Sequence, residues 1–100
     1  MDIEFFYYED CPSHDEALAR LRRIIAEEGV EANITVVKVE TEEQAREYEF
    51  TGSPTIRVNG LDIDPPPPEA RFGLTCRAFI QPDGRISPLP SEETLRQAIR

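Results

Sequence analysis

Ile3-Glu4-Phe5-Phe6-Tyr7-Tyr8-Glu9-Asp10-Cys11-Pro12 holds a buried strand and the start of a helix, and it sets the architecture of the chain. Residues 3–8 are almost continuously apolar or aromatic, which is typical of a strand that is covered on both faces, as in a parallel sheet. Glu9-Asp10 ends this run. Since proline is favoured at the first helical position, the sequence predicts Cys11 as the N-cap of a helix.

The segment after Pro12 predicts an amphipathic helix that ends near Gly29, a residue suited to a helix C-terminus. Its apolar residues recur at the spacing of one helical face: Ala17, Leu18, Leu21, Ile24 and Ile25. The β-branched run at 32–39 predicts a second strand. A strand, a helix and a strand with short links predict a right-handed parallel crossover.

The rest of the chain predicts two more helices and two more strands. Residues 41–44 have the spacing of a capping box, which predicts a short helix to about Phe50. Residues 55–58 alternate and predict a third strand, and residues 75–80 predict a fourth. Ser91 is placed to cap the last helix, whose inner face holds Leu95, Ala98 and Ile99.

Residues 61–74 include four consecutive prolines, Pro65 to Pro68, and predict an extended, semi-rigid loop before the fourth strand. A partner that binds proline-rich segments is the alternative interpretation of this run. The predicted order is therefore β-α-β-α-β-β-α, in a single domain that spans residues 1–100.

The composition limits the classes of partner. The net charge is −9, from 11 basic and 20 acidic side chains, so we expect no nucleic-acid partner, because phosphate binding needs a basic surface. No apolar run approaches the ~18 residues of a membrane span, and the N-terminus lacks a secretory signal. We therefore expect a cytoplasmic protein that does not enter a membrane. Two cysteines are too few for a secreted disulfide scaffold or a four-thiolate zinc site.

Two short motifs resemble the thioredoxin-like superfamily: Cys11-Pro12-Ser13-His14 after the first strand, and Ser53-Pro54-Thr55 before the third. The resemblance implies a central mixed four-stranded sheet with helices on both faces. The proline-rich segment at 61–74, between the last two predicted strands, is an insertion beyond the minimal fold of that family and indicates a divergent branch. The resemblance also implies that Pro54 is a cis-proline facing the first motif across a substrate groove. In that family the first motif is Cys-x-x-Cys. Here His14 replaces the second cysteine, so no disulfide can close inside the motif.

Cys11 is the candidate catalytic nucleophile. A thiol attacks only as its thiolate, and the partial positive charge of a helix N-terminus favours the thiolate. His14 lies one turn further on, where it would assist Cys11 as a cation or as a neutral base. The acidic residues at 9–10 and 15–16 oppose a second negative charge, so we expect a moderately activated cysteine. A small, buried, unreactive cysteine is the alternative.

The predicted substrate-binding residues are Pro12, Ser53, Pro54 and Thr55. The N–H and C=O of Ser53 would pair with the backbone of an extended peptide or of glutathione, which adds a strand to the protein.

Cys76 is the candidate second redox cysteine, which would resolve a mixed disulfide, or else a structural residue in a strand. If the fourth strand runs antiparallel to the third, it begins at the far end of the sheet, roughly 15 Å from Cys11. A disulfide needs Cα atoms within ~7 Å, which argues against a Cys11–Cys76 pair. A loop at 61–74 that carries the chain back would remove this objection.

Three functions remain open on this evidence. The first is a thiol-disulfide or glutathione-type oxidoreductase that acts on protein or small-molecule thiols and disulfides. In it Cys11 forms a mixed disulfide that an external thiol or Cys76 resolves, with glutathione as a co-substrate and no other cofactor. The second is a soft-metal-binding module with Cys11, His14 and Cys76 as ligands. The third is a catalytically inert interaction domain that keeps the peptide groove.

Overall fold

The computed structural model of the protein describes residues 1–11, 13–81 and 83–100. Along the chain the elements are β1 (Asp2–Tyr7), α1 (His14–Glu28), β2 (Asn33–Lys38), α2 (Glu42–Glu47), β3 (Thr55–Val58), β4 (Leu61–Asp62), β5 (Phe79–Ile80), β6 (Ile86–Ser87) and α3 (Glu92–Ile99). Four strands form a mixed sheet in the order β2-β1-β3-β4, and β5 pairs with β6 in a separate hairpin. The predicted α/β class and four-stranded mixed sheet are confirmed. Of the helices in these ranges, none is long and apolar enough to cross a membrane.

Strand β1 lies at the centre of the sheet, which explains its continuous apolar sequence. It runs parallel to β2, with Phe5 opposite Val36, and antiparallel to β3, with Phe5 opposite Ile56. Because successive side chains of a strand point to opposite faces, Phe5 and Phe6 enter different cores, and both are buried. The predicted parallel pairing of the first two strands is confirmed.

Helices cover both faces of the sheet, as the resemblance implies. On one face, α1 and α3 pack against β1 and β3 through the buried residues Ile3, Phe5, Ala17, Leu21, Ile24, Ile56, Val58, Leu95 and Ile99. On the other face, α2 and its flanking segments pack against β1 through Phe6, Val39, Ala45 and Phe50. The central strands β1 and β3 therefore form a buried middle layer, whereas the edge strands β2 and β4 are largely exposed.

Three of the predicted helix ends are confirmed. Gly29 ends α1 in the left-handed conformation, with φ 65°. Thr41 caps α2, because its Oγ1 accepts a hydrogen bond from Gln44 N–H at 3.1 Å. Ser91 caps α3 in the same way, through Thr94 N–H at 3.1 Å. The side chains of Thr41 and Ser91 each satisfy a backbone donor that has no partner inside its helix.

The start of α1 differs from the prediction. The N-cap is Ser13, not Cys11, and Ala17 N–H donates to Ser13 O at 3.0 Å. The N–H of Cys11 instead donates to Tyr8 O at 3.0 Å. Cys11 therefore belongs to the turn that reverses the chain after β1, and the helix begins only after that turn is complete.

The fourth strand of the sheet is also misplaced in the prediction. It is β4, which pairs with β3 across the two-residue turn Asn59-Gly60. Both turn residues have positive φ, 51° and 85°, and such turns match the twist of a tight hairpin. The proline-rich loop therefore follows the last strand of the sheet instead of preceding it. Of the predicted strand at 75–80, only Phe79–Ile80 is a strand, and it pairs with β6. Pro82, in the predicted turn that follows, lies outside the described residues.

Candidate functional site

The two cysteines form a disulfide, although 65 positions separate them in the sequence. Their Cα atoms are 5.9 Å apart, which is within the usual range for a disulfide. The predicted separation of roughly 15 Å is wrong, because Cys76 does not lie in a strand paired with β3. The loop before it carries the chain back, and Gly73 N–H donates to Phe50 O at 3.0 Å. Cys76 thus arrives beside the turn that precedes β3.

The two cysteines differ in burial. Cys11 is 1% exposed, and its Sγ lies 3.6 Å from Ser53 O. Cys76 is exposed and lines a cavity of about 310 Å³, together with the prolines at 65–67. A Cys11 thiolate that attacks a substrate would have to be accessible, and in this disulfide-bonded form Cys11 is buried.

Ser53 lies opposite Cys76 in a parallel β-bridge. The N–H of Ser53 donates to Thr75 O at 2.7 Å, and its C=O accepts from Arg77 N–H at 2.9 Å. The Ser53–Pro54 peptide bond is cis, as the resemblance implies, and both residues are buried. The backbone groups that were expected to receive an extended peptide or glutathione are therefore paired with the protein's own chain.

The turn before β3 is shaped for this close approach. Thr55 is fully buried, and its Oγ1 donates to Gly52 O at 2.6 Å. Gly52 has φ 147°, and a Cβ on it would lie 2.9 Å from Arg77 N and 3.0 Å from the carbonyl carbon of Cys76. Only glycine at this position leaves room for the Cys76 segment.

Arg77 is a residue of this site that the sequence patterns did not single out. Its side chain is 7% exposed and its partner Asp62 is 11% exposed, and Arg77 Nη1 lies 3.0 Å from Asp62 Oδ2. Arg77 Nη2 lies 3.3 Å from Asp62 Oδ1 and donates to Asp64 O at 2.6 Å. The guanidinium also lies 4.8 Å from the centroid of the Phe79 ring. A lone arginine in the apolar run 75–80 is the sequence signal that points to such a buried pair.

His14 has partners other than Cys11. Its ring stacks on Tyr7, with 4.6 Å between ring centroids, and its Nδ1 lies 3.3 Å from Asp15 Oδ1. The structure therefore places His14 against the end of β1, and its assistance to Cys11 stays a prediction. Pro12, which was expected to line the substrate site, lies outside the described residues.

The rim of the site at the end of β1 is polar and largely paired. Tyr8 N–H donates to Ser53 Oγ at 3.0 Å, which ties β1 to the turn before β3. The Tyr8 hydroxyl donates to Asp10 at 2.9 Å, and this hydrogen bond raises the pKa of Tyr8 above its ordinary value. Lys38 Nζ lies 2.7 Å from Glu9, and the hydrogen bond between them raises the pKa of Lys38. Part of the predicted negative charge around the cysteine is thus offset by Lys38.

The arrangement can carry out chemistry at one sulfur–sulfur bond, with one buried and one exposed cysteine. In the part of the chain that the structure describes, no group of three or more His, Cys, Asp or Glu side chains is placed to hold a metal ion. Comparison with protein-family models, with curated proteins and with solved structures finds no match to this chain, so the resemblance to the thioredoxin-like superfamily stays a prediction from the two motifs and the predicted element order.

Proposed function

We propose that this protein is a thiol-disulfide oxidoreductase of the thioredoxin-like type, with Cys11 and Cys76 as its redox pair. The observation that supports the proposal is the disulfide between buried Cys11 and exposed Cys76, beside the Ser53-Pro54 turn. The second cysteine of a redox pair, missing from the motif at His14, is supplied here by a distant segment. The substrates are protein or small-molecule thiols and disulfides, with glutathione as the co-substrate.

The difference in burial supports different steps for the two sulfurs. An external thiolate attacks Sγ of Cys76, because that residue is the exposed partner. The sulfur–sulfur bond breaks, its electron pair leaves on Cys11 Sγ, and the external sulfur becomes bonded to Cys76. A second external thiolate attacks this mixed disulfide, which releases an external disulfide and the Cys76 thiolate. The protein gains two electrons, and two external thiols are oxidised to one disulfide.

This order modifies the sequence-based assignment of Cys11 as the attacking thiolate. Cys11 is the leaving group and the internal partner in this scheme. Cys11 lies two residues before the N-cap of α1, and we expect the partial positive charge of that helix end to favour the leaving thiolate. A leaving thiol that is more acidic departs faster, so the helix contributes to the rate even though Cys11 does not meet the substrate first.

A purely structural disulfide is the competing interpretation. We propose a cytoplasmic location, and structural disulfides are rare in the cytosol, where glutathione and thioredoxin keep thiols reduced. An exposed cysteine in the pair also allows exchange with external thiols, which a sealed structural disulfide resists. Both arguments favour a pair that cycles between oxidised and reduced forms.

The experiment measures the reduction of bis(2-hydroxyethyl) disulfide by glutathione in the presence of the protein, with Cys11→Ser and Cys76→Ser variants as matched controls. We expect the wild-type protein to accelerate the reaction and Cys76→Ser to abolish the acceleration. Cys11→Ser should retain Cys76 and accumulate a glutathione adduct on it, detected by mass spectrometry of the acid-quenched protein. An oxidised protein that millimolar glutathione leaves intact, with no acceleration, would show that the disulfide is only structural.

A further inference from the structure

The segment around Cys76 is held by contacts that involve neither sulfur. Upstream of Cys76, Gly73 N–H donates to Phe50 O, and Leu74 packs against the buried cluster that contains Phe50. Beside Cys76, the backbone of Ser53 makes its two hydrogen bonds. Downstream, Phe79 is 2% exposed. Because none of these contacts includes a sulfur atom, breaking the sulfur–sulfur bond does not by itself remove any of them.

The ion pair between Arg77 and Asp62 also anchors this segment. Arg77 directly follows Cys76 in the chain, whereas Asp62 belongs to β4 and therefore to the main sheet. The guanidinium makes hydrogen bonds to both carboxylate oxygens of Asp62 and to Asp64 O. A largely buried, hydrogen-bonded pair resists separation, because either partner alone would be a largely buried, uncompensated charge. The pair thus fastens the residue next to Cys76 to the sheet.

We propose that Arg77 and Asp62 are positioning residues that hold Cys76 against Cys11 after the disulfide has been reduced. The proposal rests on the redox function proposed above. In the oxidising direction, the Cys76 thiolate attacks an external disulfide, forms a mixed disulfide and releases one external thiolate. The Cys11 thiolate then attacks the Cys76 sulfur, which releases the second external thiolate and restores the internal disulfide. Two electrons pass from the protein to the external disulfide.

Positioning acts on the second step of this sequence. That step joins two groups of one chain, and an intramolecular reaction between groups that are already held together has a high effective concentration. If the Cys76 segment left the sheet on reduction, the mixed disulfide would instead be resolved by an external thiol. The ion pair therefore makes the internal disulfide more stable relative to the dithiol and shortens the life of the mixed disulfide.

The test measures the equilibrium constant for disulfide formation against defined glutathione buffers, after acid quench and mass analysis. We expect Asp62→Asn to lower this constant about tenfold or more, and a tenfold change corresponds to about 30 mV for a two-electron couple. Glu28→Gln is the matched control, because Glu28 also belongs to an ion pair and is 19% exposed, but it lies at the end of α1. The control should stay within about twofold of the wild-type protein.

A second measurement does not depend on the variant folding. In the reduced wild-type protein, the Ser53 and Arg77 amide protons, which donate to Thr75 O and Ser53 O, should keep about 100-fold or greater protection from hydrogen exchange. If these two amides exchange at unprotected rates while the amide of Phe5 in β1 stays protected, the segment leaves on reduction and the proposal is wrong. An unchanged equilibrium constant in folded Asp62→Asn also overturns it.

The outcomes separate the positioning role from the redox function. The positioning role alone is rejected if the wild-type protein turns over an external disulfide but Asp62→Asn leaves the equilibrium constant for disulfide formation unchanged. Protected amides in the reduced protein and a lowered constant in Asp62→Asn, without any turnover, support the positioning role and reject the oxidoreductase.

Discussion

Ser53 and Cys76 face each other in a parallel β-bridge, so the protein's own chain occupies the backbone groups that the resemblance assigns to a substrate peptide. The Ser53 N–H and C=O are both used, and Cys76 reaches Cys11 from this position. An external peptide can pair with Ser53 only if the segment at 75–77 moves away. Exchange at the exposed Cys76 needs no such movement, which is why the proposed mechanism begins there.

Gly52→Ala is expected to weaken the contact between the Ser53 turn and the Cys76 segment. A Cβ at Gly52 would lie 2.9 Å from Arg77 N, and the φ of 147° disfavours any residue other than glycine. We expect a loss of about 1–3 kcal/mol in the free energy of unfolding, together with a disulfide that glutathione reduces more readily.

Gly84→Ala is the control for the backbone conformation alone. Gly84 also has a positive φ, 88°, but nothing lies within 4 Å of a Cβ built there. It should destabilise the protein by less than Gly52→Ala and leave the glutathione equilibrium unchanged. Equal effects of the two substitutions on that equilibrium would show that the close approach at Gly52 does not support the disulfide.

Ser53→Ala is expected to lower the free energy of unfolding by about 1–2 kcal/mol, because it removes the acceptor of the Tyr8 N–H. Urea denaturation of the oxidised protein measures the change. Ser13→Ala is the matched control, since Ser13 is the N-cap of α1 but its side chain makes no capping hydrogen bond. A change of more than about 0.5 kcal/mol in the control, or none in Ser53→Ala, would contradict this account.

The elements that the sequence predicts correctly are those that local patterns determine. The apolar run of β1 requires a central strand, and the helical spacing in α1 requires one buried face. The caps Thr41 and Ser91 act within their own first turn. Each of these features depends on residues a few positions apart, so no knowledge of the distant chain is needed.

The position of Cys76 could not be derived in that way. The run at 75–80 has the composition of a strand, but the sheet edge beside β3 is already taken by β4, which the Asn59-Gly60 turn places there. The Arg77–Asp62 pair then fixes the displaced segment through a contact across 15 positions. Tertiary contacts decide which of the two segments, 61–62 or 75–80, pairs with the edge of β3. The composition of the two segments alone does not decide it.

Reduction of the Cys11–Cys76 disulfide is expected to lower the free energy of unfolding by about 2–4 kcal/mol, because the cross-link closes a long loop and restricts the unfolded chain. Urea denaturation with and without dithiothreitol measures the difference. The Cys11→Ser/Cys76→Ser double variant should have the same free energy of unfolding with and without dithiothreitol, within experimental error. A wild-type protein that is equally stable in both redox states would contradict the expectation.

The ion pairs between α1 and α3 are expected to make stability fall in acid. Glu27 accepts a hydrogen bond from Arg96 at 2.6 Å, and the hydrogen bonds to Arg96 and then to Arg23 lower the pKa of Glu27 below its ordinary value of 4.5. A carboxylate whose pKa is lower in the folded state contributes stability above its unfolded pKa and loses it as the pH falls through the folded value. Urea denaturation at low salt should therefore show that the free energy of unfolding falls less between pH 6 and about pH 3 in Glu27→Gln than in the wild-type protein. Glu31→Gln, at an exposed position between α1 and β2, is the control and should lose stability in acid as the wild-type protein does. If Glu27→Gln also loses stability in acid as the wild-type protein does, the ion pairs of Glu27 add nothing to stability.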